Sequence, residues 1–124
     1  MKPYRIERLE KELLRIVNNA LFCKASDLRM QQVTITDAKI TPDMQFLRLY
    51  FSVLEDETDT DEWVAILTKA SGFIKKEIAD TKIMRRIPEI SFIYDDTEDR
   101  VREVESILKQ IEEEKNNTTE EDDN

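Results

Sequence analysis

An α+β domain is what this sequence predicts, and three observations carry that reading. Apolar residues recur at helical spacing in several separate stretches. They alternate at strand spacing in others. The two kinds follow one another as helix, strand, strand, helix, helix, strand, helix. A chain of 124 residues is long enough for one ordinary core and too short for a second large one.

The first helix runs from Pro3 to about Cys23, with Ile6, Leu9, Leu13, Ile16, Val17, Ala20 and Leu21 along one face and Pro3 suited to a first turn. Val33 and Ile35 then alternate with threonines, and Ile40 closes a strand before the turn residues "TPD" at 41–43. Leu47, Leu49, Phe51 and Val53 mark one face of a second strand, with Arg48 and Ser52 on the other, so the pair is expected as an antiparallel hairpin. Asp37 and Ala38 break the phase of the first strand, which predicts a bulge or bend there. Trp63, Ile66, Leu67 and Ala70 give a second helix. Ile74, Ile78 and Ile83 mark a third, expected to reach about Arg86. "PEISFIYD" at 88–95 alternates Ile90, Phe92 and Tyr94 as a third strand, with Pro88 where no ladder bond is needed. Val101, Val104, Leu108 and Ile111 define a last helix, a stripe expected to cover the protein's own core. The domain is therefore drawn as 1–111, and 112–124 as an acidic tail without fixed structure.

Several kinds of chemistry are disfavoured by composition. There is no His, a single Cys and a single Gly, which argues against His-based triads, most zinc sites, phosphate-binding glycine loops and dinucleotide fingerprints. Enzymatic function is therefore disfavoured, and no metal site is expected. No paired-carboxylate spacing is specific enough to support a hydrolase built on Asp and Glu. Cys23 has no partner for a disulfide and is expected as a small core residue. The charged opening residues lack a signal-peptide pattern, and no run is long enough to span a bilayer, so a cytoplasmic, monomeric protein without membrane contact is expected.

The net charge of −9 is unevenly distributed. "EDETDTDE" at 55–62 and the segment 112–124 contribute −6 each, which leaves +3 for everything else. The first run reads as a solvated loop whose last acids cap the second helix. A calcium loop is the sharper alternative, and it lacks the mid-loop glycine and a well-placed closing Glu. Between 69 and 86, six cations (Lys69, Lys75, Lys76, Lys82, Arg85 and Arg86) stand against Glu77 and Asp80, a local +4.

That basic stretch also holds the only glycine, in "KASGFIKKEI". Glycine inside a helix costs roughly 1 kcal/mol relative to alanine. At Gly72 it is expected to form a kink between two short helices by tolerating unusual dihedrals, with Ser71 as the N-cap of the second. Lys75 and Lys76 follow where acids are usual, which makes sense if an external anion such as a phosphate backbone completes the site. The plainer alternative is a packing kink beside a solvated charged face.

Four stretches, "RIERLEKEL", "VTITDAKITPDMQFLRLYFSVL", "KASGFIKKEIA" and "RRIPEISFIYDDT", together resemble the ribosome-binding factor A family of bacterial small-subunit assembly factors. The similarity extends in order from Arg5 to about Ile111. It implies a type II KH-like fold, with a three-stranded sheet packed against helices and an Ala-x-Gly kink, here Ala70, Ser71 and Gly72, in place of the usual KH glycine loop. It also implies binding to the free small ribosomal subunit through its ribosomal RNA during late maturation and rRNA processing, with importance at low temperature. Strong acidity and the "EDETDTDE" loop depart from typical members.

The RNA-binding candidates are Lys69, Ala70, Ser71, Gly72, Lys75, Lys76, Lys82, Arg85 and Arg86, with Lys75, Lys82 and Arg86 expected on one helix face. Arg5, Arg8, Arg15, Lys39 and Arg48 form a second tier. The alternative function is a protein–protein adaptor that uses the last helix and the acidic segments.

Overall fold

A computed structural model of the protein describes residues 4–54 and 59–122. Helix α1 (Tyr4–Asn19) continues through a π-helical turn (Ala20–Lys24), and a short 3-10 turn (Leu28–Gln32) leads to β1 (Val33–Ile40) and β2 (Phe46–Val53). Helices α2 (Thr60–Lys69) and α3 (Ser71–Asp80) connect β2 to β3 (Glu89–Tyr94), and α4 (Thr97–Asp122) follows. The sheet has the order β1-β2-β3, with β1 and β2 antiparallel and β3 parallel to β2. Among the described residues, no helix is long and apolar enough to cross a membrane.

Helices cover one face of the sheet. Leu13, Val17 and Leu21 from the first helical segment, Trp63 and Leu67 from α2, and Ile74 and Ile78 from α3 bury against Ile35, Ala38, Leu47, Leu49, Phe51 and Phe92. Phe51 meets Tyr94 edge-on, with ring centroids 5.8 Å apart. Ile90 and Tyr94, which share the expected face of β3, are only partly buried but pack on this core.

The expected bulge is present. Pairing shifts between Ile35 and Asp37, so Thr36 is the extra residue, one position earlier than the phase break suggests. Its hydroxyl donates to the Asp95 carboxylate at 2.6 Å, and Asp95 accepts the Thr97 N–H at 2.9 Å. These bonds, the one from Thr36 first, hold the Asp95 carboxyl below the ordinary aspartate value. The bulge thereby anchors the first turn of α4.

Strand β1 is an edge, and α1 closes it with polar side chains. The Asn18 amide donates to the Ile35 carbonyl at 3.0 Å and its oxygen accepts the Ile35 N–H at 2.8 Å. The buried Glu10 carboxylate accepts the Ile40 N–H at 2.8 Å. An exposed strand edge is a template for unwanted pairing, and these two residues occupy part of it.

Three expectations are corrected. Cys23 is exposed and not a core residue, because the π turn that ends the first helical segment carries it past the buried face. Helix α3 stops at Asp80 and not near Arg86, because Lys82 adopts a left-handed backbone (φ 58°) that no helix continues through. Helix α4 continues as helix to Asp122 instead of ending near Ile111, and Val101, Val104, Leu108 and Ile111 are all exposed, so they cover none of the core. Half of the acidic run 55–62, for which a calcium loop is the sharper alternative, lies outside the described residues, at 55–58. Its end does act as a cap, with Asp59 accepting the Asp61 N–H at the start of α2.

Asn18→Ala leaves the Ile35 amide and carbonyl without their side-chain partner. A loss of about 1–3 kcal/mol in unfolding free energy is expected in a urea titration.

Candidate nucleic-acid interface

The two helices between β2 and β3 meet at Ala70, whose φ of −83° and ψ of 0° end α2 and begin α3. The kink therefore belongs to Ala70 and not to Gly72. Gly72 lies inside α3 with no positive φ, and an added Cβ would meet nothing within 4 Å. Neither backbone geometry nor packing requires glycine there, which corrects the expectation of unusual dihedrals. What the glycine leaves is a bare, exposed patch of backbone on the second residue of the helix.

Ser71 is not the N-cap. Ala70 holds that position without a side-chain bond, while Ser71 sits inside the helix with its Oγ sealed from solvent and unpartnered. The start of α3 thus has neither a side-chain cap nor an acid in its first turn. Such a terminus carries partial positive charge.

The cations divide by environment. Lys69, Lys76, Lys82, Arg85 and Arg86 are exposed, whereas Lys75 is half-buried and paired with Glu89 at 3.2 Å. Lys24, from the π turn, pairs with Glu77 at 3.1 Å and so neutralises one of the two acids in the stretch. Lys75, Lys82 and Arg86 do not share a helix face, because the chain leaves α3 at Asp80 and carries Lys82 to Arg86 on an irregular connection. Of the second tier, Arg15 pairs with Glu12 and Lys39 with Asp37, and Arg8 and Arg48 are exposed.

Arg5, Arg85 and Arg86 come together at a groove that sequence reading missed. It opens between the N-terminal part of α1, the β1–β2 turn and the α3–β3 connection, with a volume of about 790 Å³. The turn is fixed by Asp43, which accepts the Thr41 hydroxyl at 2.6 Å and the Gln45 N–H at 3.1 Å. Those bonds hold the Asp43 carboxyl below its ordinary value, Thr41 contributing most. Met44 takes a left-handed φ of 60°, and Glu89 N–H donates to the Gln45 carbonyl at 2.9 Å, joining the starts of β2 and β3. Nothing in the local spacing of these residues announces the groove; it exists only once β3 lies beside β2.

Fold and site together define a single-sheet α+β domain whose helical crossover is a strip of exposed cations. A profile for ribosome-binding factor A matches residues 5–108, and the chain belongs to that family. A ribosome-binding factor A from Staphylococcus carnosus is 34% identical over 112 residues, covering 90% of this chain and 94% of the relative. One from Geobacter sp. is 36% identical over 107 residues, covering 86% and 90%. Among solved structures, a solution structure of a Thermotoga maritima protein described as a putative ribosome binding factor A is 30% identical, with a TM-score of 0.63 over 75% of this chain and 90% of that one. Thermus thermophilus ribosome-binding factor A has the same fold at 22% identity, with a TM-score of 0.63 over 73% and 97%. A homology model of the Thermus protein, fitted into a cryo-EM map of a 30S complex, aligns with a TM-score of 0.59 at 21% identity over 72% and 93%.

Because a methyl group at position 72 meets open space on a helical backbone, Gly72→Ala is expected to stabilise the protein. A gain of about 0.5–1 kcal/mol should appear as a higher urea midpoint.

Proposed function

We propose that this protein binds the free small ribosomal subunit through its ribosomal RNA and assists late subunit maturation and rRNA processing, as a monomeric cytoplasmic factor without catalysis or cofactor. The observation that carries this reading is the crossover, where five exposed cations follow one another with Glu77 already neutralised by Lys24. Family membership and the 30S complex of the Thermus relative support the small subunit as the target. The KH-like character implied by the resemblance fits a nucleic-acid backbone at Ala70, Ser71 and Gly72. Lys69, Lys76, Lys82, Arg85 and Arg86 are assigned to phosphates, with Lys75 reaching one only by giving up Glu89. Residues 1–111 form the binding unit, and the acidic stretch beyond them lies outside it. A role in adaptation to cold follows from the same family reading.

Sedimentation with purified small subunits at several salt concentrations tests the reading. Binding is expected to weaken steeply as salt rises, as counterion release requires. Lys76→Glu combined with Arg85→Glu should reduce it by at least tenfold without changing the urea midpoint. Gly72→Ala should weaken it while stabilising the fold, because the added methyl group holds the phosphate chain off the helix backbone. Unchanged binding by both variants at every salt concentration would rule out the crossover as the RNA surface.

One observation favours a second reading, a protein–protein adaptor. The α4 stripe of Val101, Val104, Leu108 and Ile111 faces solvent, and monomeric proteins seldom leave such a row uncovered. Treatment with RNase separates the two. Loss of the association supports RNA binding, and survival that depends on α4 supports the adaptor.

A further inference from the structure

The groove at the starts of β2 and β3 has a chemistry of its own. Leu9, Met44, Ile83, Met84 and Ile87 pack partly against the core, and Phe46 leaves 52% of its surface to solvent at the groove. An apolar opening of several hundred cubic ångströms suits a small planar ligand. Around it stand Arg5, Arg85 and Arg86, all exposed and none ion-paired among the described residues. The two acids beside them are engaged, Asp43 with Thr41 and Gln45 and Glu89 with Lys75. Lys75 offsets Glu89, and the ionised Asp43 stands against three arginines, so the rim keeps a net positive charge for an external anion.

Flat apolar surface next to free guanidiniums matches a nucleobase lifted out of its stack and still attached to phosphates. The ring can lie on Phe46 and the Met84 thioether while the arginines take the phosphates. A duplex offers no such base, because its rings are stacked inside. The groove is also continuous with the cationic crossover. Arg85 and Arg86 belong to both, and Lys75 of α3 ends on Glu89 at the rim. We infer that this groove holds an unstacked nucleotide of single-stranded RNA. The inference rests on the RNA-binding reading above and adds to it a preference for single strand over duplex. An acidic amphipathic helix such as α4 of a second copy has the complementary charge as well. It does not explain why the arginines of the groove continue into the phosphate-binding strip.

The full chain is titrated with a short single-stranded RNA carrying 2-aminopurine in place of one adenine, and in parallel with a hairpin duplex of similar length. The wild type is expected to bind the single strand more tightly than the duplex, with a change in probe emission. Phe46→Ser, at an exposed position, should weaken single-strand binding by about tenfold, the effect of losing one stacking partner, and leave duplex binding unchanged. Met84→Ser should do the same, and circular dichroism confirms that both variants fold. Equal binding of the strand by wild type and both folded variants overturns the inference and leaves the RNA-binding reading in place. Equal affinity of the wild type for strand and duplex also overturns it. Failure of the wild type to bind strand, duplex or small subunits overturns both. Self-association lost on deleting 98–122 and lost in Phe46→Ser assigns the groove to α4 and overturns it too.

Discussion

The parallel pairing of β3 with β2 is the constraint on which the rest of the structure depends. An antiparallel neighbour needs only a turn, as between β1 and β2, but a parallel one needs a crossover long enough to return the chain to the same end of the sheet. Here the crossover is α2, α3 and an irregular connection. Packing Trp63, Leu67, Ile74 and Ile78 against Leu47, Leu49 and Phe51 fixes the inner sides of those helices. Their outer sides, with Lys69 and Lys76, are left to solvent, as are Lys82, Arg85 and Arg86 of the connection that follows. The cationic strip is the reverse side of the element that makes the sheet possible. The groove follows from the same pairing, because it forms where the starts of β2 and β3 meet.

Charge in this molecule is sorted by position. The acids of 55–62 and 112–124 dominate the net charge of −9, yet the stretch 69–86 is positive, one of its two acids, Glu77, is paired with Lys24 from outside it, and Lys75 is paired with Glu89 of β3. A surface of this kind attracts a polyanion locally although the whole chain repels one. Exposed ion pairs of this type contribute little to stability. Their effect here is to decide which cations remain free.

Strands and core were legible in the sequence because alternation with a period of two is a local signal, and Leu47, Leu49 and Phe51 display it without interruption. The bulge was legible for the same reason, as a break in phase, although the extra residue proved to be Thr36. Helix ends were not. Ile83 continues the spacing of Ile74 and Ile78, and Lys82 carries no glycine or asparagine signal for the left-handed turn it makes. The lone glycine lies next to the helix junction but does not make it, since Ala70 makes the bend and Gly72 only bares the backbone beside it. Glu10 and Asn18 look like ordinary helix-surface residues until β1 is set beside them, because their partners lie 30 and 17 residues away. The α4 stripe has the pattern of a buried helix face, and a pattern cannot say whether anything lies opposite. The candidate cations were legible as a list, but not which of them are paired or which share a surface.

The central claim is that the crossover and its adjoining groove, and not α4, meet the RNA of the small subunit. Ultraviolet cross-linking of the bound protein to free small subunits, followed by mass-spectrometric mapping of peptides carrying RNA adducts, tests it most directly. The account predicts adducts concentrated on residues 69–86 and on Phe46. Adducts confined to 101–111, or protein–protein cross-links there with none on the crossover, would contradict it.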